Sequence, residues 1–224
     1  MNRSDRLIIK TFEEEMTPEG FRPIRLMTAR GMTEVRYYPT AGPSSCAAVW
    51  VGGTGGGWDT PARGLYPRLC RELTSEGIAS LRIRFRVPTL LEEAIFDTIA
   101  GLEYLHNKGA TAIAITGHSL GGAVVLRAAA LDGSVRAVIA LATQSPGAGR
   151  LDELPPNCAT LFIHGTADGV LPITNSNYLY RLAREPKRLL LLEGAGHLLD
   201  EDAGRVEEEV RDWLMLYLLG YLVA

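Results

Sequence analysis

Cysteine is scarce and scattered. The three residues, Cys46, Cys70 and Cys158, show no CxxC pair and no metal-ligand spacing. That argues against a disulfide framework and reads as buried thiols in a reducing compartment. An excess of one charge is missing too: 23 basic and 26 acidic side chains leave a net charge of −3. A protein built to coat nucleic acid or an anionic membrane would carry a basic surplus. Long apolar runs are also absent. The longest, Trp213–Ala224, is broken by Gly220 and is too short to span a bilayer. Met1–Glu15 mixes charges with few apolar residues, unlike a signal peptide. The expectation is a cytoplasmic protein with no nucleic-acid partner and no stable membrane insertion.

What the chain does have is ordinary globular composition, 46% hydrophobic and 22% charged over 224 residues, with no repeat, linker or low-complexity stretch. From Cys46 onward, apolar runs at Ala47–Gly53, Ile78–Val87, Ala112–Gly117, Val135–Ala142, Ala159–Gly165 and Arg188–Glu193 suit parallel strands covered on both faces. Between them lie helical spacings. Leu65, Leu69 and Leu73 mark one helix that stops at Gly77. Leu91, Ile95, Ile99, Leu102 and Leu105 mark a second, entered through a capping box at Thr89–Glu92 and closed by Gly109. Val206, Val210, Trp213 and Tyr217 mark a last one, with acidic residues at its start. Ile24–Thr28 and Glu34–Pro39 read as an antiparallel hairpin at one sheet edge, turning at Gly31. The fold class is α/β, a mostly parallel sheet with helices on both faces. Residues 1–21 form an N-terminal extension or edge segment, and 22–224 a single domain.

The sharpest local feature is Gly117-His118-Ser119-Leu120-Gly121-Gly122, a G-x-S-x-G pattern between an apolar strand and an Ala-rich helix. A strand-to-helix turn tight enough to expose the Ser119 hydroxyl needs small neighbours, and the helix N-terminus favours developing negative charge. The hydroxyl needs a base, and the base needs an orienting acid. There are four histidines. His106 ends a helix, His118 points away from its neighbour on the elbow, and His164 reads as a packed strand residue. His197 follows a strand in a Gly-Ala-Gly loop, at the sheet end where α/β sites lie, and is the candidate base. Asp168, just past Ala159–Ile163, is the candidate acid; Asp200, Asp202, Asp59 and Asp152 are weaker. Oxyanion donors are expected from the backbone N–H of Leu120 and of Thr54, with Gly55 second, in the Gly52–Gly57 loop. That loop lacks the G-x-G-x-x-G and Gly-Lys-Ser/Thr patterns of phosphate cradles.

With these residues in place, the chain resembles an α/β-hydrolase from about residue 22 onward. The resemblance rests on the Gly52–Gly57 loop, the elbow, the His164-Gly165-Thr166-Ala167-Asp168 turn and Gly194-Ala195-Gly196-His197. Leu81–Arg86 resembles the family's strand after the first helix. The chain departs from the family at Gly52-Gly53, where His-Gly is common, and at Arg86-Val87, where Arg-Gly is common. The family often inserts a cap between nucleophile and acid; Thr143–Cys158 is too short for a helical cap.

These features point to a serine hydrolase that cleaves small or short-chain carboxylic esters through Ser119, His197 and Asp168, needing no cofactor and no metal. A thioesterase, an amidase, a carbon–carbon bond hydrolase and a small-molecule receptor with vestigial turnover are the alternatives. Trp58, Arg86 and Gln144 are the candidate substrate contacts. For Arg86, selection of an anionic substrate competes with plain ion pairing. The apolar Trp213–Ala224 segment is expected to pack on the sheet and leaves room for a homodimer contact.

Overall fold

Apolar strands covered on two faces require two hydrophobic layers, and the chain forms both. The computed structural model describes residues 9–220. Residues 1–8 of the segment read as unlike a signal peptide, and the last four residues of the C-terminal apolar run, lie outside that range. The order of elements is β1 (Lys10–Glu13), β2 (Arg22–Thr28), β3 (Gly31–Tyr38), β4 (Cys46–Val51), α1 (Pro61–Ser75), β5 (Ile78–Arg84), α2 (Leu91–Asn107), β6 (Ala112–His118), α3 (Leu120–Ala130), β7 (Val135–Leu141), β8 (Ala159–Gly165), α4 (Thr174–Leu182), β9 (Lys187–Leu192) and α5 (Ala203–Leu219). Short 3-10 turns at Leu151–Glu153 and Asp200–Asp202 complete it.

The strands form one nine-stranded sheet in the order β1-β2-β3-β5-β4-β6-β7-β8-β9. Pairing from β5 through β9 is parallel, whereas β1, β2 and β3 join antiparallel. One core layer holds α2, α3 and α4 against the sheet, and the other holds α1 and α5. Trp213, Leu214 and Leu218 pack into the second layer, as the apolar C-terminal pattern required. Among the described residues no helix is long and apolar enough to cross a membrane.

Several local expectations are corrected. The hairpin of β2 and β3 forms with its turn at Gly31, but β1 lies outside it and makes the sheet edge. All four β1 residues are exposed, so no alternating apolar pattern announces the strand. It is anchored instead by Glu13, which takes Lys108 at 2.7 Å and Arg22 at 3.1 Å. The Thr89 capping box does not form: Leu90 occupies the N-cap without a side-chain bond, because a turn from Val87 to Leu90 intervenes. The strand carrying Arg82 and Arg84 ends at Arg84, short of Arg86. Between β7 and β8 the only helical structure is the turn at Leu151–Glu153, so no cap domain covers the sheet's C-terminal end.

Candidate active site

Ser119 sits between β6 and α3 with φ 58° and ψ −119°, a conformation that a side chain adopts only under constraint. The constraint is close packing of glycine backbone. A Cβ on Gly117 would strike the carbonyl of Gly121, and one on Gly121 would strike that of Gly52. The Ser119 N–H is held by the Leu141 carbonyl at 2.9 Å. The sequence pattern thus folds into the strained turn expected of it, with the serine partly open to solvent.

Left-handed backbone gathers at this end of the sheet. Besides Ser119, the non-glycine residues Ala62, Arg63, Ala142 and Leu199 all have φ between 42° and 59°. Ala62, Arg63 and Gly64 follow one another, a run that L-residues avoid as a helix. It is braced against the loop carrying His197: the Ala62 N–H reaches the Leu198 carbonyl at 2.7 Å, and the Arg63 N–H reaches Asp200 Oδ1 at 2.7 Å.

His197 and Asp168, on separate loops after β9 and β8, meet at the C-terminal end of the sheet. His197 Nδ1 lies 2.7 Å from Asp168 Oδ2. The carboxylate is shielded from solvent, and its Oδ1 accepts the N–H groups of Val170 and Leu171, each at 2.8 Å. Burial alone would raise the Asp168 carboxyl. The His197 hydrogen bond and the two backbone donors outweigh that, and hold it below the ordinary carboxylate range. The loops are locked together through Gly194 N–H to Thr166 Oγ1 (2.9 Å) and Ala167 N–H to the Ala195 carbonyl (3.0 Å).

Sequence reasoning missed what the other two nearby histidines do. The His118 Nε2 bonds the His197 carbonyl at 2.9 Å and its ring lies 4.7 Å from the His197 ring. His164 is packed and hydrogen-bonded as expected, and it also reaches Asp168 Oδ2 at 3.1 Å. The four-residue spacing from His164 to Asp168 was the available signal. No hydrogen bond joins Ser119 Oγ to His197 among the described residues; such contacts commonly tighten only with substrate.

Of the candidate oxyanion donors, Leu120 opens α3. Thr54 follows Gly53, whose Cβ, if it had one, would lie 3.6 Å from Ser119 Oγ. The Gly53–Thr54 peptide therefore borders the serine. The three candidate substrate contacts are otherwise engaged. Arg86 binds Asp97 Oδ1 at 2.5 Å, Glu93 Oε2 at 2.7 Å and the Arg30 carbonyl, the contacts of the ion-pairing reading. Trp58 carries the Arg36 guanidinium 4.0 Å from its ring centre, and its carbonyl accepts Arg82 at 2.7 Å. The Gln144 amide donates to the Pro146 carbonyl at 2.8 Å within its own loop. Among the described residues no three His, Cys, Asp or Glu side chains gather to hold a metal ion.

Comparison with known proteins places this geometry. Residues 62–201 match the sequence model of the alpha/beta hydrolase family. The uncharacterized protein YfhR of Escherichia coli is 33% identical over 133 residues, covering 49% of this chain and 46% of YfhR. The chain thus spans about half the length of the relatives it matches in sequence. Among solved structures, dienelactone hydrolase from Anabaena variabilis is similar at a TM-score of 0.73 and 17% identity, over 95% of this chain and 99% of that one. Est1E from Butyrivibrio proteoclasticus is similar at 0.71 and 16% identity, over 93% and 99%. At such identities the structures speak for the fold alone, but the family match takes in more than half of the residues. The chain belongs to the alpha/beta hydrolase family.

Proposed function

We propose that the protein is a serine hydrolase of small or short-chain carboxylic esters. The observation that carries this reading is the Asp168–His197 pair at 2.7 Å, together with a serine held at φ 58° on its strand-to-helix turn. His197 Nε2 takes the Ser119 proton as Oγ adds to the ester carbonyl. The N–H groups of Leu120 and Thr54 receive the oxyanion, a term worth several kcal/mol in such sites, about 3 per donor. Collapse expels the alcohol, protonated by His197, and leaves an acyl group on Ser119. Water, deprotonated by His197, then releases the carboxylic acid and restores the serine. Asp168 holds the His197 tautomer with Nδ1–H directed at the carboxylate and stabilises the imidazolium. The absence of a cap over the sheet end favours compact soluble esters, or acyl groups carried on something larger, over a lid-dependent lipid substrate.

The test pairs fluorophosphonate labelling with hydrolysis of p-nitrophenyl esters of increasing chain length, in wild type and Ser119→Ala. Expected are labelling and multiple turnovers in the wild type, both lost in a folded variant, with a preference for short acyl chains. Undiminished turnover in Ser119→Ala would overturn the reading.

A further inference from the structure

His164 has more partners than a core histidine needs. It is fully buried in β8, as is Ser176 in α4. Its Nδ1 lies 2.7 Å from Ser176 Oγ, and its Nε2 lies 3.0 Å from the Leu171 carbonyl and 3.1 Å from Asp168 Oδ2. A carbonyl only accepts, so Nε2 carries the proton. In a neutral ring Nδ1 then accepts, and the Ser176 hydroxyl donates to it. Burial disfavours the cation and pushes the ring below the ordinary histidine range, which agrees with that neutral form.

The consequence falls on Asp168. Its Oδ1 takes two backbone N–H groups, its Oδ2 takes the His197 imidazole N–H, and the His164 Nε2–H, directed at the Leu171 carbonyl, passes 3.1 Å from that same Oδ2. Three donors hold the carboxylate, and the positive N–H edge of His164 lies against its second oxygen. Leu171 closes the arrangement, since its N–H holds Asp168 Oδ1 while its carbonyl holds His164. A histidine needed only for packing would be satisfied by Ser176 and Leu171 alone. The carboxylate edge is the extra contact.

We propose that His164, set by Ser176, is a positioning residue for Asp168. Its N–H edge, 3.1 Å from the oxygen that His197 uses, fixes that oxygen and offsets part of its charge, so that the Asp168–His197 bond is weaker than it would be without that edge. This rests on the hydrolase reading above for its kinetic consequences, but not for its geometry.

The experiment compares His164→Leu, which removes the donor, with His164→Gln, which keeps an N–H at the ε position, and Ser176→Ala, a small change that unfixes the ring. With the polar N–H edge gone from beside it, Asp168 Oδ2 becomes a stronger acceptor for His197. The low-field proton resonance of the His197 Nδ1–H should move further downfield in His164→Leu. The imidazolium is stabilised, so the acidic limb of kcat/KM moves to higher pH. On p-nitrophenyl acetate, kcat falls about tenfold with KM within twofold. Gln restores most of each change, and Ser176→Ala shifts each in the same direction by a smaller amount. The other charged or titratable groups around this loop stay in place: His118 on the His197 carbonyl, Glu201 on the Gly196 N–H, and Asp200 on the Arg63 N–H. A resonance, limb and kcat all at wild-type values in folded His164→Leu would overturn the proposal, and so would the same result in Ser176→Ala should the leucine variant not fold. If the wild type itself neither labels nor turns over, the hydrolase reading fails, while the proton resonance still decides the role of His164.

Discussion

The ring of His118 and the backbone of His197 are joined by a hydrogen bond of 2.9 Å, so the residue before the serine holds the loop of the candidate base. Burial is the main reason that His118 is pushed down to about 4, with the neighbouring His197 adding to the effect and its carbonyl opposing it. The unfolded chain therefore takes up this proton first as pH falls. Stability should drain away between pH 6.5 and pH 4, by an amount on the order of 3 kcal/mol for this group. His164 is depressed in the same sense and adds to the loss. Urea unfolding at pH 7 and pH 4.5 should show a smaller acid loss in His118→Gln than in wild type. Equal losses would mean that another group controls acid stability.

Gly121 offers a test of how tightly the serine turn is built. An added methyl would meet the Gly52 carbonyl, with the Val51 carbonyl at 3.0 Å and Val51 Cγ2 at 3.1 Å. Relief requires moving backbone that also leads into the Gly52–Gly57 loop. Gly121→Ala should cost about 3 kcal/mol and strip ester hydrolysis from whatever remains folded. Gly133, with nothing within 4 Å of its missing Cβ, is the control, and Gly133→Ala should stay within about 0.5 kcal/mol of wild type. Thermal unfolding of the two variants side by side distinguishes local crowding from a general intolerance of alanine.

His106, near the end of α2, bonds Asp132 Oδ2 at 2.8 Å and the Ala110 carbonyl at 3.0 Å. The Asp132 hydrogen bond raises its proton affinity above the ordinary histidine value of 6.5, against the opposing effect of burial. A raised folded value means that the stabilisation is complete below pH 6.5 and fades as pH climbs through the folded titration. Asp132 is depressed from 3.8: burial opposes this, but its His106 and Ser134 hydrogen bonds prevail, so its share is lost on acidification. Wild type should therefore exceed His106→Gln by about 1 kcal/mol near pH 5 to 6, with the gap closing by pH 9. A gap independent of pH, measured by urea unfolding, would assign the difference to packing.

The features legible in the chain were those whose signal is local. Buried strands such as Ala159–Gly165 are continuous apolar runs, and Ser119, Asp168 and His197 each sit just past a strand end, beside glycines. The features that were not legible depend on partners distant in sequence. Strand β1 is fully exposed and is defined by pairing with β2, so it carries no periodic pattern. Helix α4 is short, with only Ser176 and Leu179 buried. Arg86 looked like the last member of an arginine row, yet the strand stops at Arg84 and Asp97 from α2 captures the guanidinium. Thr89 had the right neighbours for a cap, but a local turn from Val87 to Leu90 competed for the same residues and moved the helix start by one.

The left-handed run at Ala62–Gly64 has a consequence for anyone who would improve this protein. Glycine adopts that backbone freely, whereas Ala62 and Arg63 hold it only at a steric cost, so glycine at position 63 would remove strain from the folded chain. Those same positions moor the loop of His197 through Leu198 and Asp200. The mooring groups are main-chain N–H groups that glycine keeps, so the strain can be relieved without cutting the base's loop loose.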